Sequence, residues 1–88
     1  MQSTFQTYSD PGHGWARVPK SLLVALGIAD KVSRYSYQRG DFAYLEEDCD
    51  MSLFFNAYRG RTGRDPVLRH RTSDKRSKIR GYDTYQHC

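Results

Sequence analysis

Asp41-Phe42-Ala43-Tyr44-Leu45-Glu46-Glu47-Asp48-Cys49-Asp50-Met51-Ser52-Leu53-Phe54-Phe55-Asn56-Ala57-Tyr58 is the stretch whose reading decides the fold. Its first five residues suit a β-strand that pairs back as the second arm of a hairpin. Four acids follow within five residues. Asp50 then stands where a helix N-cap is expected, ahead of the apolar positions Met51, Leu53, Phe54, Phe55, Ala57 and Tyr58. Acids just before a helix also suit its dipole. Gly60 is expected to end this helix.

Working upstream, Ser33 to Tyr37 alternates with a period of two, which places Tyr35 and Tyr37 on one strand face. Arg39-Gly40 is the tight turn into the strand at 41–45. Further upstream, Thr4 to Tyr8 alternates as well. Ser9-Asp10-Pro11-Gly12-His13-Gly14 is turn chemistry, and Trp15 to Val18 returns as a strand. Pro19 suits the first turn of a short helix carrying Leu22, Leu23, Val24 and Leu26, with Gly27 as its cap. Downstream of the long helix, Val67 to Thr72 is the last strand. Residues 73–78 are polar and read as a loop or mobile arm, while 79–85 is apolar enough to dock back. The order β-β-α-β-β-α-β predicts an α+β domain, an antiparallel sheet of two hairpins and a last strand with two short helices on one face. Residues 1–88 form a single domain, with 73–88 as its basic C-terminal segment.

Eighty-eight residues support one small core and exclude barrels and doubly wound sheets, which need about 200 or more. No apolar run approaches the ~18 residues of a membrane span. The opening residues lack a basic stretch followed by an apolar one, the pattern of a secretory signal. Two cysteines, Cys49 and Cys88, make no disulfide framework. These features predict a cytoplasmic protein. Cys49, set among acids, should have a raised and unreactive thiol, and Cys88 is a terminal thiol. Aromatics at 14%, with seven tyrosines and four phenylalanines, supply large burial per residue and argue against disorder.

Charge is unevenly placed. Residues 1–58 hold five basic and seven acidic side chains; residues 59–88 hold nine basic and three acidic. Such bipolarity bears on partners rather than on fold. Three groupings could carry chemistry. Asp10-Pro11-Gly12-His13-Gly14 resembles the start of zinc-dependent N-acetylmuramoyl-L-alanine amidases, in which the histidine is a zinc ligand. The match covers five residues, and His70, His87, Cys49, Cys88 and the carboxylates show no paired ligand spacing, so a β-turn with histidine at its tip is the plainer reading. Glu46, Glu47, Asp48 and Asp50 could hold Mg²⁺, present a negative docking surface to a basic partner, or be a solvated turn before the helix. Arg69, Arg71, Lys75, Arg76, Lys78 and Arg80 form a basic C-terminal third. With Tyr82 and Tyr85 just beyond and Tyr35 and Tyr37 on another strand, they suggest a nucleic-acid or acidic-protein surface, against the alternative of a solvated basic face. No helix-turn-helix or RNP motif accompanies them.

Asp10-Pro11-Gly12-His13-Gly14-Trp15, Val18-Pro19, Leu26-Gly27-Ile28, Tyr35-Ser36-Tyr37, Tyr44 to Asp50 and Ile79-Arg80-Gly81-Tyr82 together resemble a family of small proteins encoded by phages, prophages and other mobile elements. The chain is also similar to anti-CRISPR proteins of the type I-C class. The resemblance implies a non-enzymatic inhibitor that binds the multi-subunit CRISPR surveillance complex, or another host nucleic-acid-handling complex, and stops it engaging target DNA. It implies no catalytic residue, cofactor or metal. An overall basic charge argues against a DNA mimic covering the whole surface. That leaves residues 46–50 facing a basic channel, or the basic third touching RNA, DNA or an acidic patch. The other expectation is a small basic accessory protein that binds nucleic acid directly. Monomer and homodimer both fit the sequence.

Overall fold

The structure is a computed structural model that describes residues 1–87. Six strands form one sheet: β1 (Thr4–Ser9), β2 (Gly14–Pro19), β3 (Tyr37–Arg39), β4 (Phe42–Glu46), β5 (Val67–Thr72) and β6 (Asp83–Thr84). Two helices, α1 (Lys20–Ala25) and α2 (Met51–Thr62), and a 3₁₀ turn at Lys78–Gly81 complete it. The spatial order is β5-β1-β2-β4-β3-β6. All neighbours are antiparallel except β5, which runs parallel to β1 from Thr4↔Val67 to Ser9↔Thr72. The fold is therefore the expected α+β class with a mostly antiparallel sheet. The parallel edge departs from the expectation because α2 carries the chain back across the sheet before β5 begins.

Strand alternation sorts the side chains onto two faces. Phe5, Ala16, Val18, Ala43 and Leu45 point to one face and form the main core with Leu22 and Leu23 of α1 and Phe54 and Tyr58 of α2. Both helices thus cover the same face. Phe5, Phe54 and Tyr58 meet with ring centroids 5.0 to 5.8 Å apart. On the opposite face Trp15 and Tyr44 pack with Ile79 of the 3₁₀ turn, flanked by Tyr8, Tyr37, Phe42 and Tyr82.

Three local expectations shift. The strand expected over 33–37 begins only at Tyr37, because Ser33 and Ser36 turn inward to bond Asp50. Tyr35 stays in the turn, exposed, so it shares no strand face with Tyr37. Gly60 does not end α2. The helix runs to Thr62, and Gly63, at φ 73°, caps it by donating its N–H to Arg59 O at 2.8 Å. Asp50 occupies the N-cap position without making a side-chain cap bond. Its carboxylate instead accepts from the Ser33 N–H, the Ser33 hydroxyl and the Ser36 hydroxyl.

The C-terminal segment lies along the sheet from Ser77 onward. Ile79 and Tyr85 are buried. The Tyr85 hydroxyl donates to Ala29 O at 2.6 Å and its N–H to Ser36 O. Cys88 lies outside the described residues.

Candidate functional site

The face opposite the helices carries the chemistry. Register places its side chains in rows across the sheet. Arg71, Tyr8, Trp15 and Glu46 follow one another over β5, β1, β2 and β4. Arg17, Tyr44 and Tyr37 make a second row, and Phe42 with Arg39 a third. Arg69 lies beside Gln6 at the β5 edge. Arginine heads stack on rings here: the Arg17 guanidinium lies 4.4 Å from the Phe42 centroid, and that of Arg39 5.0 Å from Tyr82. Among the described residues, Arg17, Arg39, Arg69 and Arg71 form no ion pair. A cavity of about 310 Å³ opens between Arg17 and Arg71, lined also by Tyr8, Tyr44, Lys78 and Tyr82, with Ser77 and Ile79. Burial, then the neighbouring Tyr82 phenol, pushes the Tyr44 hydroxyl above its usual range, so Tyr44 remains a neutral donor.

At the end of this face, the Asp10–Gly14 turn meets the acidic run. Asp10 accepts the N–H groups of Gly12 and His13 through one carboxylate oxygen, which shapes the turn. Arg80 grips the same carboxylate through Nε at 2.7 Å and Nη2 at 2.8 Å, and Ser77 N–H adds a further bond. The Arg80 contact, with these N–H donors, holds the Asp10 carboxyl far below the usual carboxylate range. The turn thereby holds His13 Nδ1 3.2 Å from Glu46 Oε1. Glu46 is buried, and its second oxygen accepts the N–H groups of Asp48 and Cys49. Gly14 lies close by: a Cβ there would stand 2.8 Å from Glu47 Oε2 and displace that exposed side chain. A cavity of about 230 Å³ is lined by His13, Trp15, Tyr35, Tyr37, Glu46, Asp48, Cys49 and Arg80. Desolvation of its sulfur, then the hydrogen bond to Glu46, pushes the Cys49 thiol up, the direction its acidic neighbours predict.

The predicted partner-binding residues are therefore scattered by the fold. Glu46 and Asp50 are buried and bonded internally, while Glu47 and Asp48 are exposed. Arg69, Arg71, Lys75, Arg76 and Lys78 are exposed, and Arg80 is committed to Asp10. Tyr37 joins the basic face and Tyr35 lies against the second cavity. Sequence reasoning missed Arg17, Arg39, Tyr8, Phe42 and Tyr44 as members of this face, and had grouped Tyr82 with the basic residues. The signal was present in β2, where Arg17 alternates with the core residues Ala16 and Val18. It also treated the histidine turn and the acidic run as separate motifs, whereas the fold joins them. Comparison with protein-family models, with curated proteins and with solved structures found no match, so the chemistry of both regions rests on this chain's own residues.

Proposed function

We propose that the chain is a non-enzymatic binding protein of a phage or other mobile element that docks on a host nucleic-acid-handling complex through its arginine- and tyrosine-bearing sheet face. The observation that carries this reading is the row structure itself. Arg17, Arg39, Arg69 and Arg71 share one face with Tyr8, Phe42, Tyr44 and Tyr82, and no carboxylate pairs with those arginines among the described residues. Guanidinium groups stacked on rings are positioned but still charged, which suits phosphate contacts; Tyr8, Phe42 and Tyr82 are only half-buried and keep ring surface for base packing, whereas Tyr44 is buried. The resemblance to type I-C anti-CRISPR proteins supplies the choice of complex, a CRISPR surveillance complex whose grip on target DNA would be blocked.

The test titrates wild type and an Arg17→Glu/Arg71→Glu variant against the purified surveillance complex, and separately against bare single-stranded and duplex nucleic acid over a salt series. Saturable binding to the complex, loss of its target-DNA binding, and weakening by at least about tenfold in the variant are expected. Equal binding by wild type and variant would remove this face as the docking surface. The same face also favours a second reading, a direct nucleic-acid-binding accessory protein. Tight binding to bare nucleic acid with a steep salt slope, and none to the complex beyond that, would select it.

A further inference from the structure

The meeting of the His13 turn with the acidic run leaves negative charge without a matching cation. Glu46 is buried, with a side chain 8% exposed. Its Oε2 takes two backbone N–H groups, its Oε1 lies 3.2 Å from His13 Nδ1, and the Cys49 thiol bonds the same carboxylate. Arg80 stands on the wall of the same cavity but is bonded to Asp10. Asp48 adds a second carboxylate. One ligand atom from each of His13, Glu46 and Asp48 can be chosen so that all lie within 4.8 Å of one another. Burying a carboxylate without a cation is costly, and cation binding removes that cost. Trp15 lines this cavity too, is 1% exposed, and its Nε1–H has no hydrogen-bond partner among the described residues.

We propose that His13, Glu46 and Asp48 form a binding site for a divalent transition-metal ion of the zinc class. One imidazole nitrogen with two carboxylate oxygens is a donor set that zinc accepts, whereas Mg²⁺ and Ca²⁺ favour all-oxygen shells. Three protein ligands leave at least one coordination position turned to the cavity. At about 230 Å³ the cavity holds an ion and several waters, each needing about 30 Å³. The site does not depend on the docking role of the basic face. Cation binding would also pin the turn at residues 10–14 to the β4–α2 junction.

The test strips the full chain with chelator and titrates it with Zn²⁺, and separately with Mg²⁺, by calorimetry, with native mass spectrometry for stoichiometry and thermal unfolding as a second readout. One Zn²⁺ per chain at micromolar affinity or tighter, a raised Tm, and no response to Mg²⁺ are expected. Binding should weaken on acidification, because protons compete for the ligands. The His13 side chain is 45% exposed and Asp48 is exposed, so His13→Ala and Asp48→Asn should keep the wild-type circular dichroism spectrum. Each should weaken binding by at least about tenfold. His70→Ala and His87→Ala should leave it unchanged. Absence of saturable Zn²⁺ binding, or binding that survives His13→Ala and Asp48→Asn or is lost with His70 or His87, would overturn the proposal.

Discussion

At the residue scale, Asp10 joins the two ends of the chain. It lies in the first hairpin turn, yet its strongest partner, Arg80, is 70 positions away. Two guanidinium bonds and three backbone N–H groups converge on one carboxylate whose side chain is 1% exposed. All five favour the ionised form, so folding depresses the Asp10 pKa from its ordinary 3.8. The unfolded chain then binds the proton more readily. The stabilisation is fully present above about pH 4 and is lost as pH falls below that value. Asp10→Asn is expected to lower Tm by several degrees at pH 7. The gap between variant and wild type should narrow as pH is taken from 4 to 2.5, read by thermal unfolding at each pH. A gap that stays constant over that range would show that the ionised carboxylate is not what holds the turn to the C-terminal segment.

At the scale of elements, α2 fastens the sheet's helical side. Phe54 is fully buried and lies edge-on to Phe5 of β1, with centroids 5.0 Å apart. Phe54→Ala should cost about 3–5 kcal/mol, measured by urea unfolding, because a cavity replaces a ring held on several sides. The sequence made this much legible: apolar spacing over 51–58 marked the helix, alternation marked β1, and the turns before them marked β2 and β4 as returning strands. Where reading failed, a tertiary partner had decided the matter. Asp50 has the chemistry of an N-cap, but Ser33 and Ser36 approach from a distant loop and claim its oxygens. Gly60 could have ended α2 by local rules, yet the left-handed position falls at Gly63. The direction of β5 is not written in its own residues; it follows from the path of α2. The candidate sites show the same pattern. His13 and Glu46 each stood out, but their approach depends on β2 lying against β4 with Trp15 opposite Glu46.

For the whole molecule, the two sheet faces differ: one is sealed by helices, and the other carries arginines over half-buried rings, partly covered by the 3₁₀ turn at Ile79, with the histidine–carboxylate cluster at its end. The linear charge asymmetry is thereby rearranged, since Arg17 and Arg39 from the acidic part of the sequence join Arg69 and Arg71 from the basic part. The strand order adds a feature of its own. The four inner strands come from residues 4–46, while both outer strands, β5 and β6, come from residues 67–84. A chain shortened to residues 1–66 should therefore keep two bare flanks and lose Arg80 from Asp10. It is expected to show no cooperative thermal transition and to elute as large aggregates on gel filtration, against a sharp transition for the full chain. During synthesis the same arrangement sets a clock. The first four strands leave the ribosome before either flank can be closed, so the nascent protein passes through an interval in which its exposure to wrong partners depends on how fast residues 67–87 arrive.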